Sequence, residues 1–114
     1  NLEKKDSILY VDGKEIGYAD ELYVTNNYIF TGHAAQCGLV FNSAIDSKLN
    51  VIDLYNNEKI INFQAYDIYL SEEGNLVAIG GECYTGGPDD DYKFEKVEFK
   101  MLNGKLEITK EKLK

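Results

Sequence analysis

The chain has 114 residues, 44% of them hydrophobic and 28% charged, the size and balance of one folding domain spanning residues 1–114 rather than of a disordered segment. Its formal net charge is −8, from 20 acidic residues against 12 cations that are all lysine, and a polyanion without arginine forks is ill suited to nucleic acid or to an anionic membrane surface. The longest apolar runs, such as Gly38 to Phe41, fall far short of the roughly 20 residues of a membrane-spanning helix, so no transmembrane segment is expected.

In chain order, segments rich in β-branched and aromatic residues run from Ile8 to Val11, Glu15 to Tyr18, Leu22 to Thr25, Tyr28 to Thr31, Gly38 to Phe41 and Asn50 to Tyr55. They continue from Lys59 to Phe63, Asp67 to Leu70, Leu76 to Ile79, Tyr92 to Met101 and Lys105 to Thr109. Asp12-Gly13, Asn26-Asn27, Asn56-Asn57, Gly74-Asn75 and Asn103-Gly104 separate them, and Asp, Asn and Gly tolerate the positive φ that tight hairpins require. From Tyr92 to Met101 the apolar positions Tyr92 and Phe94 are followed, one step out of phase, by Val97, Phe99 and Met101, which predicts a bulge near Glu95. Helical periodicity is nearly absent, so the expectation is at least about eight antiparallel strands and under about 10% helix.

An internal repeat of about 45 residues adds to this. When Ile8 to Cys37 is laid against Ile52 to Cys83, Ile16 falls on Ile60, Tyr23 on Tyr69 and Cys37 on Cys83, and Val97 to Ile108 forms a partial third copy. The period is that of a four-stranded propeller blade, but so few copies do not close a ring within one chain. The expected fold is therefore an all-β, hairpin-rich sandwich or open barrel, with propeller-blade-like sheets as the alternative and ring closure by homo-oligomerisation as a third arrangement.

Few residues invite chemistry. Cys37 and Cys83 stand at equivalent points of the repeat, and a bridge between them would contribute on the order of 4 kcal/mol by restricting the unfolded chain, so a disulfide is expected. His33 lies four residues before Cys37, the composition of a thiol nucleophile beside its base, but a disulfide would consume the nucleophile. His33, Cys37 and Cys83 lack the close cysteine spacing of a zinc site, and Asp89-Asp90-Asp91 lacks the alternating pattern of a calcium loop. The glycines of Gly80-Gly81 and Gly86-Gly87-Pro88 precede no helix and so form no phosphate cradle, and no serine sits in a nucleophile elbow. No catalytic residue, metal or cofactor is expected, and no enzymatic activity.

What remains is an acidic surface with nine tyrosines. Tyr84 and Tyr92 bracket the glycine-rich stretch that carries Asp89, Asp90 and Asp91, and together with Glu82 they make a composition suited to a lysine- or arginine-rich protein partner. A small acidic β chain without a catalytic constellation is similar in type to bacterial periplasmic inhibitors and immunity proteins that block cationic hydrolases such as lysozymes or injected toxins. That likeness implies a periplasmic or extracellular binding protein and transfers no site. The chain begins at Asn1 rather than methionine, which fits a mature product after signal removal and a truncated piece of a longer chain equally well, and a lipid anchor upstream of Asn1 is compatible with this. The competing expectation is a non-catalytic structural or accessory β module, a propeller fragment or surface lipoprotein domain, that self-assembles.

Overall fold

The computed structural model describes residues 2–82 and 94–113. These form eleven strands: β1 (Leu2–Lys5), β2 (Ile8–Val11), β3 (Lys14–Tyr18), β4 (Glu21–Val24), β5 (Tyr28–Ala34), β6 (Leu39–Asp46), β7 (Val51–Asp53), β8 (Phe63–Leu70), β9 (Leu76–Glu82), β10 (Glu95–Leu102) and β11 (Lys105–Lys112). All pairings are antiparallel. A three-stranded sheet has the order β1-β2-β3, and an eight-stranded one has the order β11-β10-β9-β8-β6-β5-β4 with β7 paired to the side of β6. The larger sheet is open, and the architecture is that of a sandwich or open barrel.

Backbone conformation at the tight turns follows side-chain chemistry. Asp12 and Gly13 have φ of 50° and 82°, and Asn103 and Gly104 have 54° and 76°, the left-handed pair of a type I′ hairpin whose twist matches the flanking strands. The turn at Asn26-Asn27 closes differently, because the Thr25 hydroxyl accepts the Tyr28 amide at 3.1 Å and so supplies the turn's hydrogen bonding without positive φ. Asp46 organises the β6–β7 connection. One of its carboxylate oxygens accepts the amides of Lys48 and Asn50, both at 2.9 Å, while Leu49 takes a φ of 66° and turns its side chain onto a small apolar cluster.

The segment from Lys59 to Phe63, expected as a strand, is instead a chain of turns that delivers β8. Successive amides of Asn57, Ile60 and Phe63 donate to the carbonyls of Leu54, Asn57 and Ile60, and Asn62 sits at a φ of 65°. A local acceptor wins here: Asn57 takes the Lys59 amide at 2.9 Å, which removes that donor from any ladder. Asn56-Asn57 accordingly belongs to this connection and not to a hairpin.

The repeat survives as two hairpins, β4–β5 and β8–β9, in one sheet, while its leading strands part company. β2 and β3 form the small sheet, whereas the corresponding region of the second copy contributes β7 and the turns before β8. The main core lies on one face of the large sheet. Phe30 and Phe41 from β5 and β6 meet Phe99 from β10 with ring centroids 4.9 and 5.0 Å apart, although β9 and β8 intervene in the sheet order, so the sheet must curl strongly on itself. Ile29 and Ile45 point the other way and, with Leu9, Ala19, Ile16 and Leu49, glue the small sheet to the back of β5–β6.

Glycine sets the closeness of one junction. Gly38 and Gly80 press against the backbone of Gln64 and Ala65 from opposite sides, and a Cβ on Gly80 would run into the Gln64 carbonyl and stand 2.8 Å from the Ala65 Cα. Gly80 was expected to lie in a loop, but β9 continues through it to Glu82 because a glycine inside a strand admits a neighbouring backbone. Replacing Gly80 with Ala should force β8 and β9 apart and lower stability by about 2 kcal/mol. Urea unfolding followed by circular dichroism measures this, with Gly13→Ala, where no atom lies within 4 Å of the added carbon, as the comparison for backbone strain alone.

Candidate functional site

One irregularity in the ladder builds the site. Thr31 pairs with Ser43 and Gly32 with Phe41, so Asn42 is an extra residue in β6, a bulge that leaves its peptide without a β5 partner. Its carbonyl is taken up by the turn that follows β7, accepting the amides of Leu54 at 2.9 Å and Tyr55 at 3.2 Å. Its side-chain amide donates through Nδ2 to the Tyr18 carbonyl at 3.3 Å and presents Oδ1 to His33 Nδ1 at 3.0 Å. Three elements are thereby tied to one bulged residue: the end of β3, the outer part of β5 and the β7–β8 connection.

The result is a row of rings. His33 stacks on Tyr18 at 5.9 Å between centroids and 23° between planes, and Tyr55 lies 6.4 Å from its other side. Beside the row, a cleft of about 360 Å³ is lined by His33, Tyr55, Asn56, Asn62 and Gln64, over an apolar base that includes Phe41 and Ile60. Gln64 is oriented by the Cys37 amide, which donates to its Oε1 at 2.7 Å. Asn56 is oriented by Asp53, which accepts its Nδ2 at 2.8 Å. A larger depression, about 430 Å³ between Ile52 and Ile108, has no aromatic ring in its lining among the described residues, and Lys59 is anchored there on the Ile108 carbonyl at 3.0 Å.

Carboxylates flank the ring row. The Ser7 hydroxyl donates to Asp20, and with the Tyr18 hydroxyl and the Lys4 and His33 charges nearby it holds the Asp20 carboxyl below the ordinary carboxylate range, against a smaller opposing effect of desolvation. The same Asp20 carboxylate, by accepting the Tyr18 hydroxyl, pushes the Tyr18 phenol above its usual value. Asp53 is the second flanking carboxylate, on the Tyr55 side.

Of the partner-binding residues expected from sequence, Glu82 is the last residue of β9, exposed and paired with Phe63, so it stands next to Asn62 and Gln64 of the cleft. Tyr84, Asp89, Asp90, Asp91 and Tyr92 lie outside the described residues. So does Cys83, and with it the expected Cys37 bridge and most of the phase shift expected near Glu95. The chain leaves β9 at Glu82 and returns at Phe94, whose ring meets Tyr66 edge-on at 5.1 Å. His33 is held by Asn42, Tyr18 and Tyr55. No group of three or more metal-ligating side chains occurs among the described residues. No helix among them is long and apolar enough to cross a membrane. Sequence reasoning singled out His33 but missed Tyr18, Asn42, Tyr55, Asn62 and Gln64, which come together only through the bulge and the turns before β8. Comparison with protein-family models, with curated proteins and with solved structures finds no match.

A carboxyl with a depressed folded-state pKa contributes stability that is fully present above its unfolded value, near pH 4, and is lost as pH falls through the lower folded value. Asp20→Asn should therefore lower the melting temperature at neutral pH, with the gap to the parent protein closing as the pH is lowered past that unfolded value. Thermal melts across that range, read by circular dichroism, check it; a gap that stays constant with pH would remove the charge from the account.

Proposed function

We propose that the chain is a non-catalytic, exported binding protein, an inhibitor or immunity protein that docks on a cationic enzyme such as a lysozyme-like hydrolase or toxin and blocks it. The supporting observation is the excess of carboxylates in the chain segments that build the cleft. Residues 15–92 contain 13 Asp and Glu and only two lysines, Lys48 and Lys59, whereas residues 93–114 contain seven lysines and four glutamates. Asp20, Asp53 and Glu82 border the ring row and cleft, and no lysine lines the cleft among the described residues. Glu82 is also where the chain runs on into the stretch that carries Asp89, Asp90 and Asp91.

Aromatic faces with carboxylates beside them suit lysine and arginine side chains, through cation–π attraction and charge pairing that strengthens as water leaves the interface. An excess of negative charge also attracts a positively charged partner before contact and speeds its association. Export agrees with a disulfide between Cys37 and Cys83 that would tie the β5–β6 turn to the end of β9, beside Gln64.

Two measurements test this. Alkylation of freshly purified protein without reductant, followed by intact-mass analysis, should leave both cysteines unmodified; two alkylated thiols would remove the bridge and with it the argument for an oxidising compartment. Association of the chain with a basic lysozyme and with a panel of basic secreted hydrolases should be fast at low salt and slow roughly tenfold between dilute and physiological buffer. Replacing Asp89, Asp90 and Asp91 together with Asn should flatten that salt dependence at unchanged thermal stability. Absence of binding to any basic hydrolase, with concentration-dependent association of the chain with itself, would favour the accessory-module reading instead.

A further inference from the structure

The cleft beside His33 differs from its surroundings in having no carboxylate and no lysine in its lining among the described residues. On a molecule with 32 charged residues in 114 this is a local exception, and it carries a ligand chemistry of its own. Its polar groups are amides, an imidazole and a phenol, and several have one half already committed. Gln64 spends its Oε1 on the Cys37 amide, which leaves its NH₂ to donate. Asn56 spends its Nδ2 on Asp53, which leaves its Oδ1 to accept. Asn62 makes no side-chain hydrogen bond among the described residues and keeps both.

His33 is committed in the same manner. Because Asn42 Nδ2 donates to the Tyr18 carbonyl, its Oδ1 is turned to His33, and Nδ1 must carry the hydrogen that Oδ1 accepts. In the neutral ring Nε2 is then a bare acceptor. Donors and acceptors are thus interleaved around an apolar floor, next to the face of Tyr55, whose side chain is 56% exposed. Among the described residues this lining offers a cationic guest no carboxylate and an anionic one no lysine, whereas a neutral ligand bearing several hydroxyls could both give and receive hydrogen bonds and lay a C–H face on the ring. The volume of about 360 Å³ lies at the lower end of small-molecule sites, which run from roughly 300 to 1,000 Å³.

We infer that the His33–Tyr55 cleft is a binding site for a neutral saccharide unit. The inference is independent of the basic-enzyme reading, which rests on the carboxylates around the cleft and on the segment beyond Glu82. The protein contains no tryptophan, so the site would rely on tyrosine and histidine for stacking, with weak single-site affinity and a Kd on the order of 1 mM for a short glycan.

The test is a titration of the isotopically labelled full chain with maltotetraose, cellotetraose and chitotetraose, each followed by amide and side-chain NMR shifts, with arginine amide titrated in parallel. At least one glycan should saturate shifts of His33, Tyr55, Asn56, Asn62 and Gln64. Tyr55→Ala should weaken that glycan roughly tenfold, the loss expected of one stacking ring. Asn62→Gly, which keeps the positive φ while removing the amide, should weaken it as well, whereas Tyr69→Ala, an exposed ring on β8 outside the cleft, should leave it unchanged. Thermal melts and the dispersion of the remaining signals confirm that each variant is folded. Failure of all three glycans to move the cleft residues overturns the proposal. So does a cleft that responds to arginine amide alone, which would make it part of the protein-docking surface. Binding that Tyr55→Ala leaves intact would overturn it equally. Loss of basic-enzyme binding without loss of the glycan response would count only against the function proposed above.

Discussion

Between Thr31 and Gly32 the β5–β6 ladder skips Asn42, and much of what lies on that end of the molecule follows from where the spare peptide goes. A bulge removes a residue from the ladder's hydrogen-bond accounting, and a part-buried peptide must find partners elsewhere. Here the partners are the amides of Leu54 and Tyr55, so the bulge sets the path of the β7–β8 connection and the position of Tyr55. The side chain of the same residue holds His33 and the end of β3. Gly32 completes the arrangement, since a Cβ there would stand 2.7 Å from the Val40 carbonyl and 2.9 Å from Leu39.

The strands that carry this bulge are buried on both faces, which explains their rigidity as a platform. Phe30 and Ala44 enter the main core, while Ile29 and Ile45 enter the cluster beneath the small sheet. Thr31 is buried between these layers and is tolerated because its hydroxyl meets that of Ser43 at 2.6 Å. The small sheet is held in turn by Leu9 and Ala19 from within and by the Ala19 amide on the Ser7 carbonyl. Side chains on the platform's outer end, His33 among them, thus stand on backbone fixed by two apolar interfaces.

Hairpins were legible in the amino-acid sequence wherever turn chemistry was strong, as at Asp12-Gly13 and Asn103-Gly104, and so was the all-β class. β1 was not, because Leu2 to Lys5 has a single apolar residue and its turn, Asp6-Ser7 with φ of 52° and 68°, lacks the glycine that announces such a bend. Lys59 to Phe63 has the apolar content of a strand, yet the neighbouring Asn57 side chain takes the Lys59 amide, a contest that residue spacing does not display. Gly80 read as a loop residue because close approach of a neighbouring strand depends on pairing between segments distant in the chain. The site was half legible for the same reason: a lone histidine stands out by composition, but its ring partners, orienting amide and cleft neighbours are set by strand register.

The open edge of β11 carries a consequence for solubility. In a two-residue hairpin closed at Leu102 and Lys105, alternate residues from Leu106 onward turn their backbone groups away from β10, an arrangement that invites another strand. Lys59 occupies the Ile108 carbonyl, and Lys110 reaches back at 3.1 Å to the Lys59 carbonyl. Two ammonium groups from different parts of the chain thus latch a turn across the exposed edge, a stopper made of charge. Neutralising either amine, as acylation does, would unlatch it and leave a sticky strand open to cross-β growth.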